Sequence, residues 1–76
     1  MTYRKVDFAE GLKARLKYGY DPIGVSRWAY EQYLGNSNCL EEGLKSEIMK
    51  VVAMEEGFEF EMTKGELMEL ADALMG

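Results

Sequence analysis

Apolar residues recur at helical spacing between positions 40 and 54 of this 76-residue chain. The stripe consists of Leu40, Leu44, Ile48, Val51, Val52 and Met54. Such spacing predicts an amphipathic helix that packs its apolar face against a core. Asn38 and Glu41 predict a capping box at the start of this helix, and Gly57 predicts its end after Glu56.

Two helices are predicted upstream of this stripe. The first covers residues 7–18, because Phe8, Leu12 and Leu16 lie four residues apart, and Gly19 ends it. The second begins at Asp21 and Pro22, an N-cap followed by the residue best suited to the first helical position. Its opening turn is soft, so a start at residue 26 is the alternative. Residues 35 and 36 end it after residue 34.

A fourth helix is predicted after Thr63, which forms a second capping box with Glu66. Leu67, Leu70 and Leu74 give this helix its inward face, together with residue 71. We expect it to run to about residue 74.

Residues 58–62 alternate between apolar and acidic side chains, a pattern typical of an extended segment. No comparably clean partner strand occurs elsewhere in the sequence. We therefore favour an extended connector that pins Phe58 and Phe60 into the core. The alternative is a strand that pairs with its copy across a dimer axis.

These elements predict an all-α fold, a small compact four-helix bundle or orthogonal array with one extended linker. Three helices are expected to be long and one short or irregular. Residues 1–76 are expected to form a single helical domain, since no break in composition divides the chain.

Catalysis is not expected from this sequence. The chain contains no histidine, the commonest general base, and its single cysteine, Cys39, has no evident base to activate it. Ser26, Ser37 and Ser46 lie outside any nucleophile-elbow pattern. The acidic residues lack the spacing of a calcium loop, and one cysteine cannot form a zinc site. We expect no metal ion and no cofactor.

A cytoplasmic location is expected. One cysteine permits no internal disulfide, whereas small secreted domains usually carry several. The N-terminal residues lack a signal-peptide pattern, and no apolar run approaches the length that spans a bilayer.

Charge is unevenly distributed along the chain, whose net charge is −5. Residues 1–20 carry +3, residues 21–40 carry −1, and residues 41–76 carry −7. A polarised chain of this kind favours association with a partner of opposite charge. We therefore expect the acidic C-terminal half to dock a basic protein or a second copy of this chain.

The predicted second helix contains more aromatic residues than one helix face can bury. Trp28 lies roughly opposite Tyr30 and Tyr33 on a helical wheel, so either this helix is central and buried all round, or an aromatic side chain stays at the surface. Exposed aromatic residues are enriched in binding hot spots. The predicted partner-binding residues are Trp28, Tyr30, Tyr33, Glu55, Glu56, Glu59 and Glu61. Self-association through residues 58–60, giving a homodimer, is a further hypothesis.

The alternative function is nucleic-acid binding. Residues 16–34 are compatible with a helix-turn-helix, in which Ser26 and Arg27 would reach base edges and the basic N-terminal segment would contact phosphates. The −7 charge of residues 41–76 opposes binding to a polyanion.

In size and charge the chain is similar to small acidic immunity proteins and antitoxins, which supports an inhibitory or regulatory role. Residues 18–22 do not match the Tyr-Tyr-Pro segment of the nuclease-colicin immunity family. Residues 51–70 resemble the helix, glycine, aromatic and capped-helix pattern of the nitrogen-fixation (Nif) type of leader peptide, over less than a third of the chain.

Overall fold

The computed structural model describes residues 1–57, 59 and 61–76, which form four α-helices. The helices are α1 (Lys5–Lys17), α2 (Pro22–Asn36), α3 (Leu44–Val52) and α4 (Lys64–Met75), and a 3-10 turn (Ala53–Glu56) extends α3. Among the described residues, the only β-type pairing is an isolated bridge between Tyr3 and Leu40. The predicted all-α fold is confirmed.

The helices pack as two pairs, α1 with α4 and α2 with α3. Lys45 at the start of α3 lies over the ring of Tyr33 near the end of α2. Val52 at the end of α3 meets Ser26 near the start of α2. The helices α2 and α3 therefore run in opposite directions, and the 3-10 turn lies beside the N-terminal end of α2.

Every helix contributes to one core. The buried apolar residues are Phe8, Ala9, Leu12, Leu16, Val25, Ala29, Leu44, Ile48, Val51, Met54, Leu67 and Ala71. The predicted inward faces of the first, third and fourth helices supply most of them. The opposite faces of the helices are exposed to solvent, so a surface that binds a partner lies on those faces.

The helix α1 begins two residues earlier than predicted. Asp7 accepts a hydrogen bond from the backbone N–H of Arg4 at 2.9 Å, and Glu41 accepts one from the N–H of Lys5 at 2.7 Å. These carboxylates satisfy N–H groups that a helix leaves free at its start. At the other end, Gly19 adopts φ +126°, in agreement with its predicted role as terminator.

The predicted start of the third helix is wrong. The N–H of Tyr3 donates to the carbonyl of Cys39 at 2.7 Å, and the N–H of Glu41 donates to the carbonyl of Tyr3 at 2.9 Å. This pairing holds residues 39–41 extended, and the carboxylate of Glu41 caps α1 instead of pairing with Asn38. The chain turns into α3 only at Gly43, whose φ is +86°.

The other helix limits agree more closely with prediction. Asp21 and Pro22 open α2 as expected, so the alternative start at residue 26 is wrong. The helix continues to Asn36, whose side-chain amide donates to the carbonyl of Gln32 at 2.8 Å. The capping box of α4 is confirmed: Glu66 N–H donates to the hydroxyl of Thr63 at 3.1 Å, and the Glu66 carboxylate accepts from Thr63 N–H at 2.9 Å.

The predicted linker over residues 58–62, and the strand proposed as its alternative, both depend on Phe58 and Phe60. These two residues lie outside the described part of the chain.

Candidate functional site

Four carboxylates lie exposed between the 3-10 turn and the start of α4. They are Glu55, Glu56, Glu59 and Glu61, and we call them the acidic edge. Glu55 forms an ion pair with Arg27 of α2, with 3.5 Å between the Arg27 Nε and a carboxylate oxygen. The edge therefore lies beside the N-terminal half of α2, and the structure brings two of the predicted site features together.

A surface pocket of about 190 Å³ lies where the acidic edge meets α2. Its lining residues are Pro22, Ile23, Met54, Glu55, Gly57 and Glu61. Met54 is buried and belongs to the core, whereas Glu55 and Glu61 are exposed. This acidic pocket thus combines apolar side chains with two carboxylates. This pocket could not be predicted from the sequence, because Pro22 and Ile23 lie far from the acidic edge along the chain.

Tyr20 fixes the backbone beside this pocket. Its hydroxyl donates a hydrogen bond to the carbonyl of Met62 and also contacts the sulfur of Met54 at 3.8 Å. Burial raises the pKa of the Tyr20 phenol, and the nearby charges of Glu61 and Glu66 raise the pKa further. At neutral pH the phenol is therefore a hydrogen-bond donor. Sequence reasoning missed this role, because its partner is a backbone atom 42 residues away.

The three predicted aromatic residues differ in exposure. Trp28 is half-buried and stacks on Phe8, with ring centroids 5.1 Å apart. Tyr33 is half-buried between the core and Lys45. Tyr30 alone among the three is exposed, at 46%, and stacks on Tyr33 at 6.4 Å. Of the two alternatives predicted for this helix, the structure has the one with an aromatic residue at the surface, and among these three residues that is Tyr30.

Tyr30 belongs to a longer exposed ridge on α2. Ile23 and Leu34 are 53% and 56% exposed, and the side chain of Arg27 is 72% exposed. The positions 23, 27, 30 and 34 are separated by four, three and four residues, so they lie along one side of the helix. We call these four residues the outer stripe. The spacing of these positions can be recognised in the sequence. Apolar residues also occur on the other sides of α2, so the sequence does not indicate which side is exposed.

Of the two residues predicted to contact nucleic acid in the alternative function, only Arg27 is accessible. Ser26 is fully buried, and its hydroxyl donates to the carbonyl of Val52 at 2.7 Å. It cannot reach a base edge from this position. Arg27 is exposed, but it pairs with Glu55 at the acidic edge, where a phosphate would meet several carboxylates.

Cys39 lies in the extended segment of residues 39–41, which pairs with Tyr3. It is half-buried and lines a pocket of about 250 Å³ with Tyr3, Asp7 and Asn36, among others. Within residues 1–57, 59 and 61–76, no three Cys, Asp or Glu side chains come together in a group suited to a metal ion. None of the described helices is long and apolar enough to cross a membrane.

Comparison with protein-family models, with curated proteins and with solved structures found no match to this chain.

Proposed function

We propose that this chain is a non-enzymatic protein-interaction module whose acidic edge docks a basic partner protein, in an inhibitory, immunity-type or regulatory role. The observation that carries the proposal is the acidic pocket, where Glu55 and Glu61 stand beside the apolar side chains of Ile23 and Met54. Lysine and arginine bury an aliphatic stem while their charged head stays near water. An apolar pocket edged by two carboxylates fits both parts of such a side chain.

The charges around the pocket support the same partner. Glu56, Glu59 and Glu61 form no ion pair within the described part of the chain, and the cation that pairs with the edge there is Arg27. An exposed cluster of like charge raises the local concentration of opposite charge and speeds association. The acidic edge is thus free to attract a basic surface, and the pocket provides a place for one of its side chains.

The first test is affinity capture from an extract of the source cells, at low and at moderate salt, with bound protein and nucleic acid both identified. We expect a basic protein to be retained at low salt and weakened by added salt, because salt screens exposed charges. Retention of nucleic acid instead of protein would contradict the proposal.

Two triple variants then locate the site. Glu56, Glu59 and Glu61 changed to Gln remove three charges from the edge, while Glu10, Glu42 and Glu69 changed to Gln remove three exposed charges elsewhere. Both variants have the same net charge. We expect the edge variant to slow association with the captured partner by about tenfold and the control to change it much less. Equal effects would assign the attraction to overall charge and not to the edge.

A further inference from the structure

No helix among the described residues packs on the outer stripe of α2. Val25, Ser26 and Ala29 are buried on the opposite side of the same helix, where α3 packs. From Ile23 to Leu34 the stripe extends over about 16 Å, given the rise of a helix. An exposed ridge with apolar ends and a central tyrosine is the kind of surface that a second helix covers.

The stripe is self-complementary when the direction of the helix is reversed. Its spacing of four, three and four residues reads the same from either end, and it matches the positions that pair in two-helix coiled coils. A two-fold axis between Arg27 and Tyr30 places Ile23 against Leu34 of a second copy. The same axis places Arg27 over the ring of Tyr30 of that copy, a favourable cation–π arrangement.

The charged residues beside the stripe are also placed so that the same two-fold axis pairs opposite charges. Lys45 lies over Tyr33, close to the Leu34 end of the stripe, whereas Glu55 lies beside Arg27, toward the Ile23 end. Both belong to the α3 side of α2. Two antiparallel copies of α2 bring these flanks together, so Lys45 of each copy faces Glu55 of the other.

We propose that the outer stripe is the interface of a two-fold homodimer in which the α2 helices of two copies pack antiparallel. A two-fold interface requires one patch that complements itself, and both the spacing and the flanking charges of this stripe meet that requirement. One helix face is smaller than the roughly 1,200–2,000 Å² buried in stable complexes, so the dimer is weak and forms at high micromolar concentration.

The dimer does not depend on the proposed docking of a basic partner. Ile23 and Glu55 line the acidic pocket and also take part in the dimer contacts, so dimerisation competes with a basic side chain for that pocket. Glu56 and Glu59 are exposed and line neither the stripe nor its flank, so each copy keeps them for a partner. The dimer therefore presents Glu56 and Glu59 of each copy, at opposite ends of the paired helices. Apolar contacts carry this dimer, and it persists at moderate salt, where docking of a basic partner weakens.

Sedimentation velocity of the purified chain between about 20 µM and 1 mM, at moderate salt, tests the dimer. We expect the weight-average mass of the wild type to rise with concentration, from near that of the monomer toward that of the dimer. Tyr30→Lys is expected to remain monomeric, and Tyr18→Lys is the matched control, since Tyr18 is 88% exposed and lies outside the stripe. Leu34→Lys provides a second interface variant, and circular dichroism verifies that each variant folds. A monomeric wild type, or a Tyr30→Lys variant that dimerises normally, would overturn the proposal.

A charge exchange tests the antiparallel arrangement. Lys45→Glu and Glu55→Lys each place like charges opposite one another, so each alone is expected to weaken dimerisation about tenfold, since the two-fold axis repeats every contact. The double variant restores opposite charges in both contacts and is expected to dimerise more tightly than either single variant, although the lysine at position 55 stays beside Arg27 of its own copy. A double variant that dimerises as weakly as the single variants would overturn the antiparallel arrangement. Binding of the captured basic protein by a monomeric Tyr30→Lys variant would separate failure of the dimer from failure of the docking function.

Discussion

The indole of Trp28 stacks on the ring of Phe8, with centroids 5.1 Å apart and an angle of 17° between the planes. This contact joins α2 to α1, and it places the indole directly over Gly11 of α1. The glycine leaves the space that the indole occupies. Trp28, which was predicted to bind a partner, thus also holds two helices together.

Gly11→Ala is predicted to destabilise the protein. The added Cβ would lie 2.7 Å from Cζ2 of Trp28, and the stacked indole cannot move away without losing its contact with Phe8. Overpacking costs about 1–3 kcal/mol, which exceeds the gain of about 1 kcal/mol from replacing a helical glycine. Urea denaturation measures the difference in the free energy of unfolding.

Gly35→Ala is the control for this prediction. Gly35 is exposed in α2, and an added Cβ meets nothing within 4 Å. We expect the alanine there to stabilise the protein by about 0.5–1 kcal/mol through helix propensity alone. If both alanine variants changed the free energy of unfolding in the same direction, the result would contradict the steric clash with Trp28.

Ser26→Ala is predicted to lower the free energy of unfolding by about 1–2 kcal/mol, because the carbonyl of Val52 would lose its buried donor. The hydrogen bond is 2.7 Å long and joins α2 to the end of α3. Thermal and urea denaturation measure the effect. Ser46→Ala removes an exposed hydroxyl within α3 and is expected to change stability by less than about 0.5 kcal/mol. An equal change in the free energy of unfolding of the two variants would contradict the structural role of Ser26.

The sequence predicted the helices best where capping and core spacing are local. Thr63 and Glu66 cap α4 through residues three positions apart, and Phe8, Leu12 and Leu16 face the core as expected. Such patterns depend on neighbours along the chain, so they are readable without knowledge of the fold.

The errors arise from contacts between distant residues. Glu41 was expected to cap its own helix, but its carboxylate bonds to Lys5, 36 residues away. The nucleic-acid alternative placed Ser26 at a surface, although its hydroxyl is buried against the end of α3. The α2 helix is apolar around most of its circumference, so its sequence alone could not distinguish the side facing α3 from the exposed outer stripe.

Glu41→Ala is predicted to destabilise the protein by about 1–2 kcal/mol, because the first turn of α1 would lose a charged acceptor for the N–H of Lys5. Glu42→Ala is the neighbouring control, since Glu42 is exposed and accepts no hydrogen bond among the described residues. Chemical denaturation of the two variants decides the point. A smaller loss at Glu41 than at Glu42 would show that the carboxylate does not cap α1.

Tyr20→Phe is predicted to make stability less dependent on alkaline pH. The folded state raises the pKa of Tyr20 above its ordinary value of 10.0, so it holds the phenol proton more tightly than the unfolded chain does. This contribution to stability is complete below the ordinary value and is lost as pH rises through the raised pKa. Removing the phenol removes that loss.

Denaturation curves at several values between about pH 8 and 11 measure this dependence. Tyr3, whose pKa is raised by burial and then by the charge of Asp7, retains part of the slope in the variant. We therefore expect a shallower decline and not a flat profile. Tyr20→Phe also loses the hydrogen bond to Met62, which costs about 1 kcal/mol at neutral pH. A slope identical to that of the wild type would contradict the role assigned to Tyr20.

Neutralising the acidic edge is predicted to leave the fold intact. Glu56, Glu59 and Glu61 are exposed and form no ion pair within the described residues, and the chain already carries a net charge of −5. Their joint change to Gln is expected to alter the free energy of unfolding by less than about 0.5 kcal/mol, or to increase it slightly as repulsion is relieved. Denaturation beside the control variant measures this. A loss above about 1 kcal/mol would mean that the edge supports the fold, and weaker partner binding by the variant would then no longer report on docking.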